Sequence, residues 1–206
     1  MRLTERSNAA SFVGSEDRIK TSSFPVLAIW QFISILLSAL VTGVFWGTWL
    51  GLSRSMASLT PETFLTIGHT MIGNLGTIMA ILMPAALLTT LPVLYLLYRR
   101  RSGAFYPTLA GLALFVVALL ITLLVEVPLD NQFEEWTVTT LPANWQELRD
   151  RWEWFHVIRS WVSVAGLALL LAGALFRRDN AVGRLLVEEG KHFPEAEAMS
   201  RTKIRR

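Results

Sequence analysis

The side chains most able to do chemistry open the last apolar segment of this chain: Trp145, Arg149, Trp152, Glu153, His156, Arg159, Ser160 and Ser163. At 100° per residue, the positions from Arg149 to Ser163 share about a third of a helix circumference. One face then carries two arginines, an acid, a histidine and a tryptophan where the helix turns apolar. An interfacial belt with snorkelling arginines accounts for Trp145, Trp154 and Arg149. It does not account for Arg159, which lies beyond His156, where a lipid-facing charge is costly. Glu153, His156 and Arg159 are therefore expected to face inward, towards Glu126 at the end of the preceding segment and His69 on the second. Paired His and Glu can move a proton, and Arg can steady an anion such as an enolate or phenolate. The candidate catalytic residues are Glu126, His156, Arg159 and Glu153. The candidates for holding a substrate are His69, Asn131, Arg149 and Trp152.

Metal chemistry has fewer donors to work with. The chain has no cysteine and three histidines, so disulfides and thiolate metal sites are excluded. His192 falls in the C-terminal tail, leaving His69 and His156. These two could be axial ligands of a b-type haem, or, with Glu126 or Glu153, form a two-His, one-carboxylate site for non-haem iron. The reading preferred from the residues assigns no metal and no cofactor.

Membrane spans must position these groups. Of the 206 residues 52% are hydrophobic and 17% charged, against roughly 25% charged in a soluble domain. The charges are segregated: none falls between Thr21 and Ser53, between Thr63 and Tyr98, between Ala104 and Val125, or from Ser160 to Phe176. A hydrocarbon core about 30 Å thick needs about 20 apolar residues. The expected fold is an all-α bundle of four transmembrane helices, at about 25–52, 61–98, 104–126 and 145–176, within a membrane domain covering 24–178. A loop over 127–144 and polar tails at 1–23 and 179–206 complete the chain. Residues 1–20 include Glu5, Glu16 and Asp17, so no cleavable signal peptide is expected there.

Local signals place the helix ends. Thr60-Pro61-Glu62 reads as a capped helix start, and Arg99-Arg100-Arg101 ends that helix before a Ser102-Gly103 turn. Pro84 and Pro92 are expected to kink it. Gly43, Gly47 and Gly51 form a small-residue stripe on the first helix, expected to pack inside the bundle, with a homo-oligomer contact as the alternative. His69, Gly73, Gly76, Ala80 and Met83 share one face of the second helix, expected to look inward. Trp46 and Trp49 fit an aromatic belt.

Charge counting orients the bundle. With both termini on one side, that side holds 15 of the 19 Lys and Arg and 8 of the 16 acids; the other holds Arg54, Arg149, Arg151 and Arg159 with the remaining 8 acids. Excess Lys and Arg marks the cytoplasmic side, so both termini are expected inside a plasma (inner) membrane, with the polar cluster under the external mouth. The net charge of +3 then reports topology, and no nucleic-acid partner is expected. The expected partners are the bilayer and a lipophilic small molecule with one or two oxygens to be held.

The run Val125-Glu126-Val127-Pro128-Leu129-Asp130-Asn131, followed by Arg151-Trp152-Glu153, His156 and Arg159, resembles the anthrone oxygenase-like family of small four-helix membrane proteins. Members typically end the third helix in a Val-Asn-Val-Pro-Leu-Asn-like turn, then open the fourth with a Trp-containing start and an Arg about a turn later. The first helix around Gly43-Val44-Phe45-Trp46 looks similar too, and the likeness spans about 26–176. Glu126 departs from it, standing where Asn is common. The resemblance implies four transmembrane helices and an oxidoreductase that converts anthrones to anthraquinones. Beside this oxygenase-like reading stand two others: a non-catalytic membrane subunit or scaffold, and the haem protein.

Overall fold

The computed structural model describes the backbone of residues 3–56 and 58–203, and side chains over 26–52, 55–56 and 58–176. Helix α1 (Leu3–Thr48) runs into a π-helical turn, π1 (Trp49–Ser53), and a short helix α2 (Arg54–Met56). Then come α3 (Pro61–Arg99), α4 (Phe105–Ile121), a second π turn π2 (Thr122–Glu126), α5 (Val127–Glu135) and α6 (Trp145–Lys203). Four stretches are long and apolar enough to cross a membrane: Val26–Leu52, Pro61–Arg99, Phe105–Glu135 and Trp145–Phe176. No strand occurs among the described residues. Of the tails expected at 1–23 and 179–206, residues 3–23 and 179–203 continue α1 and α6 as helical backbone; the tails' side chains, His192 among them, lie outside the described residues.

The ends of α3 follow the local chemistry. Thr60 caps it, its Oγ1 accepting the Thr63 N–H at 3.4 Å, with Pro61 at the first position and Glu62 in the first turn. At the other end Ser102 N–H donates to Leu97 O and Arg101 N–H to Tyr98 O, at 3.1 and 3.0 Å. That is the double closure in which the residue after the cap turns left-handed. Here this residue is Arg101, with φ of 48°, while Gly103 keeps a negative φ. The helix continues through Pro84 and Pro92. Neither proline has an N–H, so the carbonyls of Ala80 and Leu88 go without their usual helical donor.

α1 packs on α3 and α6, and α4 packs on α6 and α3, closing a four-helix ring. The central core is Val41 and Phe45 with Met83, Ala86, Phe115, Ala118 and Leu170. A second core, at the end where α3 begins, joins Met56, Phe64 and Leu65 to Leu129, Phe133 and Trp152. It exists because the helices overshoot: α3 has 39 residues, and about 20 suffice to cross.

The glycines divide differently from the sequence expectation. A Cβ added at Gly43, Gly47 or Gly51 meets nothing within 4 Å, so that stripe does not pack inside the bundle. The inward face of α1 belongs instead to Gln31, Ser34, Ser38, Val41, Thr42 and Phe45, all buried. Two of its hydroxyls bond across the helix gaps, Ser34 Oγ with Thr90 Oγ1 at 2.6 Å and Thr42 Oγ1 to the Ser163 carbonyl at 3.4 Å, as buried polar groups generally must. The close backbone approach is between α4 and α6. A Cβ on Gly111 would sit 2.9 Å from the Gly166 carbonyl oxygen, and one on Gly173 2.6 Å from Thr108 Oγ1. Gly111→Ala is therefore expected to destabilise the bundle by about 1–3 kcal/mol through overpacking. Gly43→Ala should leave stability equal or higher, since glycine inside a helix is itself unfavourable. Thermal unfolding of the two variants in the same detergent checks this; equal midpoints would show that the α4–α6 approach has slack.

Candidate functional site

Proline shapes the segment that carries the acids. Pro128 has no N–H, and in a regular helix its ring would strike the carbonyl of Leu124. The chain answers by widening one turn ahead: Val127 N–H reaches back five residues to Thr122 O, and Thr122–Glu126 is π-helical. Such single π turns recur at functional sites. Beyond it the helix resumes as α5, where the sequence suggested a loop. Thr122, Glu126 and Asp130 thus come off consecutive turns onto the bundle interior.

α6 supplies the opposing groups. Glu126, His156 and Arg159 are 0%, 1% and 8% exposed. Arg159 Nη2–H donates to His156 Nδ1 at 2.7 Å, and Nη1–H donates to Thr122 Oγ1 at 3.1 Å. The same Nη2 lies 2.9 Å from Glu126 Oε2, with His156 Nδ1 3.8 Å from that oxygen. The Arg159–Glu126 approach is an ion pair outside hydrogen-bond geometry, because neither Glu126 oxygen accepts a hydrogen bond. His156 Nε2–H donates to the Phe45 carbonyl at 3.1 Å. Together these bonds select the imidazole tautomer with the proton on Nε2 and the lone pair on Nδ1. Trp152 stacks on His156 (centroids 5.0 Å apart, planes at 14°), and the Arg159 guanidinium lies 4.4 Å from the Phe45 ring centre. Trp152 is held in turn by its Nε1–H, which donates to Asp130 Oδ1 at 2.9 Å.

Beside this cluster is a cavity of about 400 Å³. His156, Arg159, Trp152, Thr122 and Asp130 line its polar end. Apart from Thr48 the rest is apolar, and includes Met56, Met71, Met79 and Met83, four of the chain's six methionines. Thioether side chains are flexible and polarisable, so such a wall adapts to more than one ring shape.

The other sequence candidates sit elsewhere. Glu126 is behind Arg159 and does not line the cavity. Glu153 is half-buried and also outside the lining. Arg149 is buried, but pairs with Asp150 at 2.7 Å and lies over Trp145. Asn131 is exposed. His69 Nε2–H donates to the Phe133 carbonyl at 2.7 Å, tying α3 to α5. Both histidines needed for haem ligation thus spend an N–H on a backbone carbonyl. Among the described residues, no three His, Asp or Glu side chains converge as metal ligands. Asp130 joins the site without being among the candidates that the sequence marks. Its signal was a spacing of four from Glu126, which is readable only if the helix persists past Pro128.

Trp46, Trp49 and Trp161 form an aromatic cluster, with Trp46 centred 4.9 Å from each of the other two.

The anthrone oxygenase family model matches residues 75–169, from the middle of α3 into α6. That stretch contains Thr122, Glu126, Asp130, Trp152, His156 and Arg159, and the match supports an anthrone oxygenase-like assignment. Neither a curated protein nor a solved structure matches the chain.

Proposed function

We propose that this chain is a membrane oxidoreductase that oxidises a lipophilic phenol of anthrone type with dioxygen in the cavity beside His156 and Arg159. One observation carries the reading: His156 and Arg159, joined by a 2.7 Å hydrogen bond from Nη2–H to Nδ1, both line a cavity that is otherwise mostly apolar. A substrate oxygen that displaces this bond meets a base and an anion holder at one point. The enol form of an anthrone gives its O–H proton to His156 Nδ1, and Arg159 holds the oxyanion. Glu126, close behind both, offsets the new imidazolium charge. The ring carbon opposite then adds dioxygen, and the peroxide oxygen takes the proton back from His156. Loss of water across the C–H and O–O bonds leaves the second carbonyl. One dioxygen is consumed and one water released per quinone formed.

The assay is direct. Protein in lipid nanodiscs is given anthrone, with quinone absorbance and oxygen uptake followed together. We expect equimolar oxygen uptake and quinone formation, faster than the spontaneous reaction. No acceleration would overturn the enzymatic reading and leave a scaffold, in which Glu126 and Arg159 serve only to tie the π2 turn to α6. Stoichiometric iron or copper in active protein would overturn the metal-free route while keeping the enzyme.

The same reading places both termini in the cytoplasm of a cell with the site towards the external face of its plasma membrane. Its support is the charge balance and the triple-Arg turn. Because the chain has no cysteine, Ser102→Cys and Thr139→Cys each create a sole thiol. An impermeant maleimide applied to intact cells should label the second and spare the first; the opposite pattern would invert the topology.

A further inference from the structure

The cavity is not sealed. Most of its lining is buried or half-buried, but five lining residues are exposed: Gly76, Ala80 and Pro84 on α3, and Leu123 and Val127 at the π2 turn. The first three are spaced by four, as are the last two, so each set is a single stripe along its helix. The two stripes belong to neighbouring elements, since α3 packs on both α4 and α5. They therefore flank an opening in the side of the bundle. At 1.5 Å per residue, the α3 stripe runs about 12 Å along the helix. A Cβ added at Gly76 meets nothing within 4 Å, so no side chain from across the gap fills it. The level of the opening matters too. Gly76 to Pro84 lies well inside the Pro61–Arg99 span, where the surroundings are lipid. Pro84 also denies the Ala80 carbonyl its usual helical donor, which leaves one hydrogen-bond acceptor on an otherwise apolar rim.

We propose that this gap between α3 and the α4–α5 segment is a lateral portal, through which a lipophilic phenol passes from the bilayer into the cavity. Small side chains at positions 76 and 80 keep it open and set the size of what enters. The portal rests on the substrate class proposed above, and it adds two consequences. Substrate never crosses the aqueous phase, and the phenolic hydroxyl has the Ala80 carbonyl as a first acceptor on its way to His156. Enlarging either small residue obstructs entry without touching the polar cluster.

Two measurements on the full chain in nanodiscs test this. Ala80→Cys provides the sole thiol for a nitroxide, whose collisions with dissolved oxygen and with a water-soluble nickel chelate are compared. Oxygen collisions should dominate, and added anthraquinone should immobilise the label; dominant nickel collisions would overturn a lipid-facing portal. In the second, Gly76→Phe with Ala80→Phe should slow anthraquinone association by about tenfold, as a steric gate on entry does. Binding at the unsubstituted rate would overturn the portal and leave the proposed function standing. No anthraquinone binding by the unsubstituted protein would overturn the substrate class itself, and with it the portal's role.

Discussion

His156→Ala abolishes anthrone oxidation on the proposed mechanism, with kcat falling by about 10²- to 10⁴-fold as the proton acceptor is lost. The imidazole is fully buried, stacked on Trp152 and bonded to both Arg159 and the Phe45 carbonyl, so a structural loss must be told from a chemical one. Added free imidazole makes that distinction. It fits the vacated space and should restore part of the rate, with a dependence on its concentration. A merely structural role for His156 would show no rescue and a large drop in thermal midpoint. Full activity in the alanine variant would remove His156 from the chemistry altogether.

Glu126→Ala is expected to have the largest effect on stability. Arg159 is 8% exposed and has Glu126 Oε2 at 2.9 Å. Removing one partner of a buried ion pair typically costs about 3–5 kcal/mol, because the remaining charge stays in low dielectric. Replacing both partners with apolar side chains is often nearly neutral, since the desolvation cost of both charges vanishes with them. Glu126→Leu with Arg159→Met should therefore unfold close to the unsubstituted protein, yet turn over no substrate. Stability is read from thermal unfolding in one detergent. A stable Glu126→Ala variant would mean that water reaches Arg159 and that the cluster is not dry.

The four uncharged runs were enough to read the spans, because hydrocarbon admits few charged side chains and the pattern is strong. The facing of His156 and Arg159 was also readable, since helical spacing puts them on one stripe and Arg159 lies too deep for lipid. What followed Glu126 was not. Pro128 looks like a helix stop, and a widened turn that lets the helix pass it leaves no mark in the residue spacing. Asp130 was hidden with it. Arg149 and Glu153 share the stripe of His156, but a stripe a third of a circumference wide also includes its two edges. Arg149 at one end found Asp150 and Trp145 instead. The glycines misled for a related reason: four-residue spacing signals a face without saying whether a helix or lipid lies against it. On α1 the hydroxyl face took the interior and the glycine face was left outside.

The contact of Gly111 with Gly166 has a consequence for how such a protein can diversify. The reacting groups stand on α6 and on the π2 turn that continues α4, and the backbones of α4 and α6 touch at Gly111 and Gly166, leaving no room there for an added side chain. The wall that a substrate would meet first is mostly α3, lined by methionines and small residues, with open space beside Gly68, Gly73 and Gly76. Substitutions accumulating on α3 would reshape what is accepted while leaving the distance from His156 to Arg159 as it is. Chemistry and substrate range are thus written on separate helices, and a designer seeking a new substrate should vary one and leave the other alone.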